Sequence, residues 1–250
     1  MYSGSYHSVG MTTSTFSTQS TRDTGRWLPD TAFGRWFLST DIWLRYVLTP
    51  AIDDLKSMLG PEPDAFDCLM DIGCGQGRAL PVLADRFQPK RMLAIDSDPL
   101  LIARAADASR ALRCQVETKT GSVLALDLPD NSLDAIFCHQ LIHHVAQQEC
   151  ALRELYRVLA PGGYLLVSES CQAFISSWTV RWLFRHPPGV QRSSRGYVQL
   201  VRDSGFAVDE RQIREYAPWW SLHDLGVRQR LGLSRRVPAP TEVIMIARKG

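Results

Sequence analysis

The chain has 250 residues, of which 45% are hydrophobic and 22% charged, and its formal net charge is +2. A chain of this length and composition can bury the core of one large α/β domain, which excludes a mini-protein held together by disulfides or a metal. A net charge this close to zero does not by itself indicate a polyanionic partner.

Cysteine usage and hydropathy indicate where the protein works. The six cysteines include no C-x-x-C pair, which indicates reduced thiols and a cytoplasmic protein instead of a disulfide framework or a zinc knuckle. No uncharged apolar run reaches 18 residues, so we expect no transmembrane segment. Residues 1–25 hold twelve Ser or Thr and are expected to form a disordered tail with neither a signal peptide nor a transit peptide.

The chain after the tail is predicted to be helical at first. Residues 26–60 are interpreted as an N-terminal helical lid, with helix over 33–59 divided near Thr49-Pro50, because proline disfavours helix in the residue before it. Residues 61–250 are assigned to one domain. That domain carries an aromatic and arginine-rich insertion around 171–236.

Strands and helices alternate from residue 66 onwards. Short apolar runs predict strands at 67–72, 91–96, 114–122, 134–139 and 164–168. Asp98-Pro99 is predicted to begin the helix 99–112, and Pro161-Gly162-Gly163 to end the helix 147–160. A helix at 196–206, a strand near 207–213 and a last strand at 242–248 complete the series. This alternation predicts an α/β fold with a doubly wound parallel sheet.

The stretch MDIGCGQGR, residues 70–78, follows the first predicted strand. Three alternating glycines allow a ligand to approach the main chain closely. Their spacing differs from the G-x-G-x-x-G of dinucleotide enzymes, and a carboxylate at Asp71 would repel phosphate. Asp96, at the end of the second strand, can accept hydrogen bonds from ribose hydroxyls. The two acids together favour a nucleoside with a cationic tail, and S-adenosylmethionine is such a molecule.

Four ordered motifs resemble the class I S-adenosylmethionine-dependent methyltransferases of the small-molecule type. They are MDIGCGQGR, LAIDSDP, GSVLALDLPDNSLDAIFC and ALRELYRVLAPGGYLLVSES, and they cover roughly residues 66–170. The resemblance implies a Rossmann-like, mostly parallel seven-stranded sheet with an antiparallel last strand, N-terminal lid helices, and S-adenosyl-L-methionine as cofactor. The cofactor-binding residues it implies are Asp71, Gly73, Cys74, Gly75, Gly77, Asp96, Ser97, Ser122, Val123 and His139. Ser122 stands where many members carry an acid.

The string CHQLIHHV, residues 138–145, supplies the candidates for proton transfer. The resemblance places it beside the methyl end of the cofactor, and histidine titrates in the useful range. His139 and His143 are the candidate catalytic bases, with a packing role as the alternative for each. We expect no metal site, because the adjacent His143 and His144 should point apart on a helix or a strand and no H-E-x-x-H is present.

The acceptor is predicted from aromatic residues outside the sheet. Aromatic side chains can enclose a flat or lipophilic small molecule, although packing of the lid helices would explain them as well. The candidate acceptor-binding residues are Trp36, Trp43, Tyr46, His144, Trp178 and Trp219. Residues 181–236 carry eleven arginines against five acids. Contact with RNA or with an anionic membrane surface is left open, but no RNA-binding module accompanies these arginines, so nucleic acid is not favoured.

These patterns predict a cytoplasmic enzyme that transfers a methyl group from S-adenosylmethionine to O, N or C of a small, hydrophobic metabolite. Two alternatives stay open at the level of sequence. The first is a methyltransferase that acts on RNA or protein. The second is a module that binds S-adenosylmethionine and regulates a partner without catalysis.

Overall fold

The computed structural model describes residues 31–60, 65–187, 189–218, 221–222, 227–232 and 238–250. The predicted tail at 1–25 lies outside these residues. The strands are β1 Cys68–Ile72, β2 Arg91–Asp96, β3 Gln115–Thr120, β4 Leu133–His139, β5 Leu159–Ser170, β6 Ile213–Tyr216 and β7 Glu242–Arg248. Four of the predicted strands, at 67–72, 91–96, 134–139 and 242–248, end where the sequence pattern placed them.

Ten α-helical segments accompany these strands in the described part of the chain. They are α1 Ala32–Leu38, α2 Asp41–Trp43, α3 Thr49–Leu59, α4 Leu80–Phe87, α5 Pro99–Ser109, α6 Gln148–Val158, α7 Gln172–Ile175, α8 Trp178–Leu183, α9 Ser194–Asp203 and α10 Val227–Arg230. Short 3₁₀ turns occur at Ile142–His144 and Glu210–Gln212. Among the described residues, no helix is both long enough and apolar enough to span a bilayer.

The seven strands form one sheet in the order β3-β2-β1-β4-β5-β7-β6. Strands β1 to β5 pair in parallel, whereas β7 runs antiparallel to both β5 and β6. The predicted doubly wound, mostly parallel seven-stranded sheet with an antiparallel last strand is confirmed. The strand order reverses between β1 and β4, and in such sheets the ligand crevice lies beyond the carboxyl ends of the strands at this point.

Helices cover both faces of the sheet because the strands are apolar on both faces. Met70 and Ile72 of β1 pack in one buried cluster with side chains of α6 and α9, and Leu69 packs in a second cluster with α3, α4 and α5. Alternate residues of a strand point to opposite faces, so a strand buried on both sides is apolar at nearly every position. All five residues of β1 are buried.

The predicted division of the first helical segment at Thr49-Pro50 is wrong. Leu48 and Thr49 both have α-helical dihedrals, and α2 continues through a π-helical segment, Leu44–Leu48, directly into α3. The π-helical segment changes the hydrogen-bonding register just before Pro50, where the missing N–H would otherwise interrupt the helix. The break instead lies at Ser39-Thr40, where the Thr40 hydroxyl accepts from the Trp43 N–H at 3.3 Å and begins α2.

The strand predicted near 207–213 is also displaced. Ala207 makes only an isolated bridge to Arg248, and the Asp209 carboxylate accepts from the Arg211 N–H at 2.9 Å. This local cap begins the 3₁₀ turn at Glu210, so strand β6 starts only at Ile213. The sequence across 207–213 did not reveal that Asp209 would compete with the sheet for backbone donors.

The glycine turn after β1 can lie close to α5 because glycine has no side chain. Gly77 has φ +79°, and a Cβ there would lie 2.9 Å from the Ala105 Cα, which real structures do not show. Gly75 also has a positive φ of 54°, but a Cβ there would meet nothing within 4 Å. Gly75 therefore needs glycine for its backbone angle alone, whereas Gly77 also needs it for helix packing.

This difference predicts that Gly77→Ala destabilises the protein more than Gly75→Ala. Both substitutions place a side chain in the left-handed region at a cost of about 1 kcal/mol or more. Gly77→Ala should add roughly 1–3 kcal/mol of overpacking against α5. Thermal unfolding followed by circular dichroism measures both variants, and equal midpoints would show that Ala105 does not limit the turn.

Candidate active site

A cavity of about 1960 Å³ opens where the strand order reverses, beyond the carboxyl ends of β1, β2 and β4. Its wall contains most of the predicted cofactor-binding residues: Gly73, Cys74, Gly75, Asp96, Ser97, Ser122, Val123 and His139. It also contains the predicted catalytic and acceptor residues His143, His144, Trp36, Trp43 and Tyr46. Asp71 and Gly77 do not line it. Residues far apart in the sequence therefore meet in one space.

Asp71 is a buried acid with an unused oxygen. It lies within β1, its exposure is 2%, and its Oδ2 has no hydrogen-bond partner in the described part of the chain. Burial, and secondarily the nearby Asp96, raises the pKa of Asp71 to about 8. A buried acceptor without a partner is costly, so a donor or cation from a ligand would be stabilised here.

Asp96 has a structural task that the sequence did not reveal. Its Oδ2 accepts from the Gly75 N–H at 2.9 Å, and its Oδ1 accepts from the Asp98 N–H at 2.9 Å. The carboxylate thus fixes the glycine turn as well as facing the cavity. A carboxylate has about four acceptor positions, so two hydrogen bonds leave capacity for ribose hydroxyls. Burial raises the pKa of Asp96, and the backbone donors oppose that shift.

The loop after β3 forms the wall on the far side of Asp96. The Ser122 hydroxyl accepts from the Leu124 N–H at 3.2 Å, which fixes the short turn that carries Val123. Val123 is buried and lies on the cavity surface. This wall offers an apolar side chain and a hydroxyl where many methyltransferases have an acid, in keeping with the departure noted in the sequence.

His139 ends β4 with its ring inside the cavity wall. Its Nε2 is buried without a hydrogen-bond partner among the described residues, and the ring lies 5.5 Å from the Trp43 ring, centroid to centroid. Burial lowers the pKa of His139 to about 3, with a smaller contribution from His143. The imidazole is therefore neutral near pH 7, which is the state that can accept a proton.

His143 is held by a buried acid that sequence reasoning missed. Its Nδ1 lies 2.6 Å from Oε2 of Glu169, whose Oε1 accepts from the N–H groups of Leu141 and Ile142 at 2.8 and 2.6 Å. Burial lowers the pKa of His143 to about 3 and raises the pKa of Glu169 to about 8. Glu169 stands near the end of β5, so the rule that selected Asp96 at the end of β2 could have found it.

The expectation that His143 and His144 point apart is wrong. That expectation assumed a regular helix or strand, but the two residues form a single 3₁₀ turn that ends at once in extended Val145. Their ring centroids are 4.2 Å apart, and His186, from the loop after α8, lies 5.2 Å from His143 and 4.9 Å from His144. No sequence signal links His186 to this cluster, because it comes from a distant loop.

A second buried acid also escaped the sequence analysis. Glu242, at the start of β7, accepts from the Ser170 hydroxyl at 2.7 Å and from the Gln140 amide at 3.0 Å. Burial raises the pKa of Glu242 to about 7. Because β7 runs antiparallel, its first residue reaches the same edge of the sheet as the last residues of β4 and β5. The prediction overlooked this residue because it considered only the ends of parallel strands.

The aromatic residues at the mouth differ in their exposure. Trp43 is half-buried against His139, whereas Trp36 and Tyr46 are 58% and 61% exposed although they line the cavity. Core packing does not account for side chains this exposed. The side chain of Trp178 and the whole of Trp219 lie outside the described residues.

Two observations indicate that these residues suit S-adenosylmethionine. The unpartnered Oδ2 of Asp71 matches a ligand that brings a donor or a positive charge. The glycine turn at Gly75 leaves open space where a side chain would otherwise stand. Within this site Asp96 and the 122–123 loop would hold the nucleoside, and the glycine turn would face the amino-acid end, with Asp71 buried in β1 just before it.

The raised pKa of Asp71 predicts a pH-dependent stability. In the unfolded chain an aspartate titrates near pH 3.9, so between about pH 4 and pH 8 the unfolded state loses a proton that folded Asp71 retains. The stabilisation is thus complete below about pH 4 and is lost as the pH rises to about 8. Asp71→Asn should melt at a higher temperature than the wild type at pH 8, measured by differential scanning fluorimetry without ligand. The exposed Asp107→Asn is the control, and a lower melting temperature for Asp71→Asn would contradict the assignment.

Comparisons with known proteins agree with this geometry. The family described as "Methyltransferase domain" matches residues 70–167. Phosphoethanolamine N-methyltransferase 3 of Arabidopsis thaliana is 27% identical over 55% of this chain and 28% of its own length. Malonyl-[acyl-carrier protein] O-methyltransferase of Marinomonas sp. is 30% identical over 51% of this chain and 47% of its own length. The chain thus spans less than half the length of either curated relative.

A solved structure shares the fold over most of the chain. The S-adenosylmethionine dependent methyltransferase from Mesorhizobium loti superposes with a TM-score of 0.60 at 20% identity, over 82% of this chain and all of the other. The matched segment contains the glycine turn, Asp96, His139 and His143, which are the residues that meet at the cavity. Residues 70–167 therefore match a methyltransferase domain, and the sheet has the fold of a solved S-adenosylmethionine dependent methyltransferase.

Proposed function

We propose that the protein transfers the methyl group of S-adenosylmethionine to O, N or C of a small, hydrophobic acceptor. The observation that carries this proposal is one continuous cavity that runs from the glycine turn past the histidines to an aromatic mouth. Its volume of about 1960 Å³ exceeds the 300–1,000 Å³ typical of a single ligand site. Both a cofactor and an acceptor therefore have room in it.

The chain's own residues divide the cavity into two halves. At the cofactor half, Asp96 and the glycine turn line the wall and provide acceptors and exposed main chain, and Asp71 lies buried in β1 just before the turn. S-adenosylmethionine, when bound, supplies a methyl group on a positively charged sulfur. Positioning of the acceptor and exclusion of water then provide most of the acceleration, so an extended set of catalytic residues is not required.

The acceptor half is apolar at its mouth. Large hydrophobic side chains stay exposed where they line the opening, and they belong to α1, α2, the π-helical segment and α5: Phe33, Trp36, Ile42, Tyr46 and Leu100. Exposed apolar patches of this kind usually mark a binding site. They favour a flat or lipophilic acceptor over a highly charged one.

His139 is the proton acceptor in this proposal. It combines a buried Nε2 without a partner among the described residues with a place on the cavity wall. Burial keeps its ring neutral at pH 7, but the lowered pKa also makes the ring a weaker base than a free histidine. General-base assistance contributes about 10²–10⁴-fold in rate when the pKa of the base lies near the working pH, so the lowered pKa places His139 toward the bottom of this range. His143, the other predicted base, has its Nδ1 engaged by Glu169 and is left with Nε2 alone.

The arginine-rich segment gives little support to a macromolecular acceptor. Arg192, Arg202 and Arg214 are paired with Glu149, Glu210 and Asp54 of the same chain. Paired arginines are less available to a phosphate backbone. The two curated relatives are named for different acceptor atoms, nitrogen in one and oxygen in the other. Their names therefore do not agree on an acceptor, and the cavity is the better guide to the acceptor of this chain. A cytoplasmic location stays a prediction from the cysteine pattern.

Asp96→Ala should weaken the binding of adenosylhomocysteine by about 1–3 kcal/mol, because ribose hydroxyls would lose their acceptor. Isothermal titration calorimetry measures the affinity. Asp96→Asn is the matched variant, since it keeps one oxygen for the Gly75 or Asp98 N–H and should lose less. An unchanged affinity in Asp96→Ala with an unchanged melting temperature would remove Asp96 from the site.

The acceptor class is tested with S-adenosylmethionine that carries a trideuterated methyl group. The protein is incubated separately with pooled hydrophobic metabolites, with total RNA and with soluble protein, and the added mass is located by mass spectrometry. We expect label in the metabolite fraction. Label confined to RNA or protein would establish the first alternative, and tight binding of adenosylhomocysteine with no label anywhere would favour a regulatory module.

His139→Asn is the variant that separates chemistry from binding in this assay. It should reduce label transfer by up to about 100-fold while the affinity for adenosylhomocysteine changes much less. Equal rates for the variant and the wild type would show that the acceptor needs no proton removed by His139.

A further inference from the structure

The most unusual chemistry in the cavity wall is a cluster of three imidazoles. One ring nitrogen of each of His143, His144 and His186 lies within 4.8 Å of the corresponding nitrogens of the other two residues. Among the described residues, this is the one group of potential metal ligands with such a geometry. All three residues line the same cavity as the glycine turn. The cluster therefore stands beside the space assigned to the two ligands.

Three imidazole nitrogens are a common ligand set for a catalytic metal ion. Zinc takes three protein ligands at about 2.0–2.1 Å and keeps a fourth position for water or substrate, which places the nitrogens about 3.4 Å apart in a tetrahedron. The separations here are within 4.8 Å. Each ring would need to move by about 1 Å or less to complete that geometry.

Glu169 provides a second, independent feature of a metal site. Ligating histidines usually donate their other ring N–H to a carboxylate, which fixes the tautomer and the ring orientation. The Nδ1 of His143 faces Oε2 of Glu169 at 2.6 Å. A bound cation would favour the ionised carboxylate, which accepts from Nδ1–H and leaves Nε2 as the nitrogen for the metal. Glu169 is itself 0% exposed and held by two backbone N–H groups, which makes this support rigid.

Packing alone does not explain the cluster well. His143 is buried, and His144 and His186 are half-buried at the cavity wall. Polar rings in such a wall lose hydration, and apolar side chains would fill it at a lower cost. His186 reaches the other two from the loop after α8, which otherwise packs through aromatic contacts such as Phe184 with Phe37 at 6.2 Å between ring centroids. A ligand shared by the three nitrogens would compensate for their burial.

We propose that His143, His144 and His186 bind a divalent transition metal ion of the zinc class and leave one coordination position open to the cavity. Imidazole ligands suit zinc, copper, iron and nickel, whereas magnesium and calcium prefer oxygen ligands. This assignment replaces the expectation of no metal site and gives His143 a ligand role in place of a base role. His139 lies outside the cluster and keeps the role proposed above.

The open position indicates the chemical class of the acceptor, and this step rests on the proposed function. A ligand with a hydroxyl, thiol or enol group could occupy it, because such a group is more easily deprotonated beside a divalent cation. The acceptor would then combine a polar, acidic head at the histidines with an apolar body at the aromatic mouth.

The first experiment measures metal binding directly. The full chain, prepared without a histidine tag and stripped with a chelator, is titrated with Zn²⁺ in competition with a chromophoric chelator. We expect one ion per chain, and His144→Ala and His186→Ala should each weaken binding by at least tenfold. Glu169→Gln should weaken it by about 10–100-fold, the usual effect of losing the carboxylate behind a ligand.

Controls separate the cluster from other causes of metal uptake. The double variant Cys114→Ala/Cys150→Ala removes two half-buried thiols that are not part of the cluster and should bind Zn²⁺ like the wild type. Melting temperatures and adenosylhomocysteine affinities are measured for every variant. The proposed metal site is wrong if zinc binding is unchanged in both His144→Ala and His186→Ala, or if the wild type binds no zinc. Loss of adenosylhomocysteine binding by the stripped wild type would instead count against the proposed function.

The open position is tested with Co²⁺ in place of zinc. Acetohydroxamate, added as a probe with oxygen ligands, should change the visible absorption spectrum of the Co²⁺-loaded protein. The same addition to Co²⁺-treated His144→Ala/His186→Ala should produce no such change. An unaltered spectrum in the loaded wild type would mean that the fourth position is closed, and the open site would be rejected.

Discussion

The site depends on hydrogen bonds that attach the glycine turn to the end of β2. The N–H groups of Gly73 and Cys74 donate to the Ile95 carbonyl at 2.8 and 3.1 Å, and the Gly75 N–H donates to the Asp96 carboxylate at 2.9 Å. These bonds fix a main chain that would otherwise have many conformations available, since glycine is the least restricted residue. The contact of Gly77 with α5 holds the turn from its other side.

Burial gives the cavity a common electrostatic character. The pKa values of Asp71, Glu169 and Glu242 are all raised by burial, and those of His139, His143 and His186 are all lowered. Both kinds of group are thus driven toward their uncharged forms, because charge is poorly solvated there. A cationic ligand entering such a site meets acids that can ionise in response. This explains how a largely apolar cavity can still favour a positively charged cofactor.

The fold and the cofactor half could be predicted because their signals are local. Strand β2, the Asp98-Pro99 start of α5 and the glycines each follow from a few neighbouring residues, and Asp96 follows from its place at the end of a strand. Errors occurred where another interaction competed with the local pattern. The π-helical segment before Pro50 kept the helix continuous, and the Asp209 cap delayed β6. Neither can be read from hydrophobic periodicity.

The acceptor half was harder to predict because distant segments build it around the sheet. The matched methyltransferase segment, residues 70–167, contains His139, His143 and His144, but Trp36, Trp43 and His186 all lie outside it. Glu169 lies just beyond its end and orients His143 from the neighbouring strand. A contact between His186 and His144 depends on how the loop after α8 returns to the sheet, and no short-range pattern encodes that return. In the proposed function, the chemistry of the cofactor would therefore depend on the sheet and its turns, and the chemistry of the acceptor on the segments packed around the sheet.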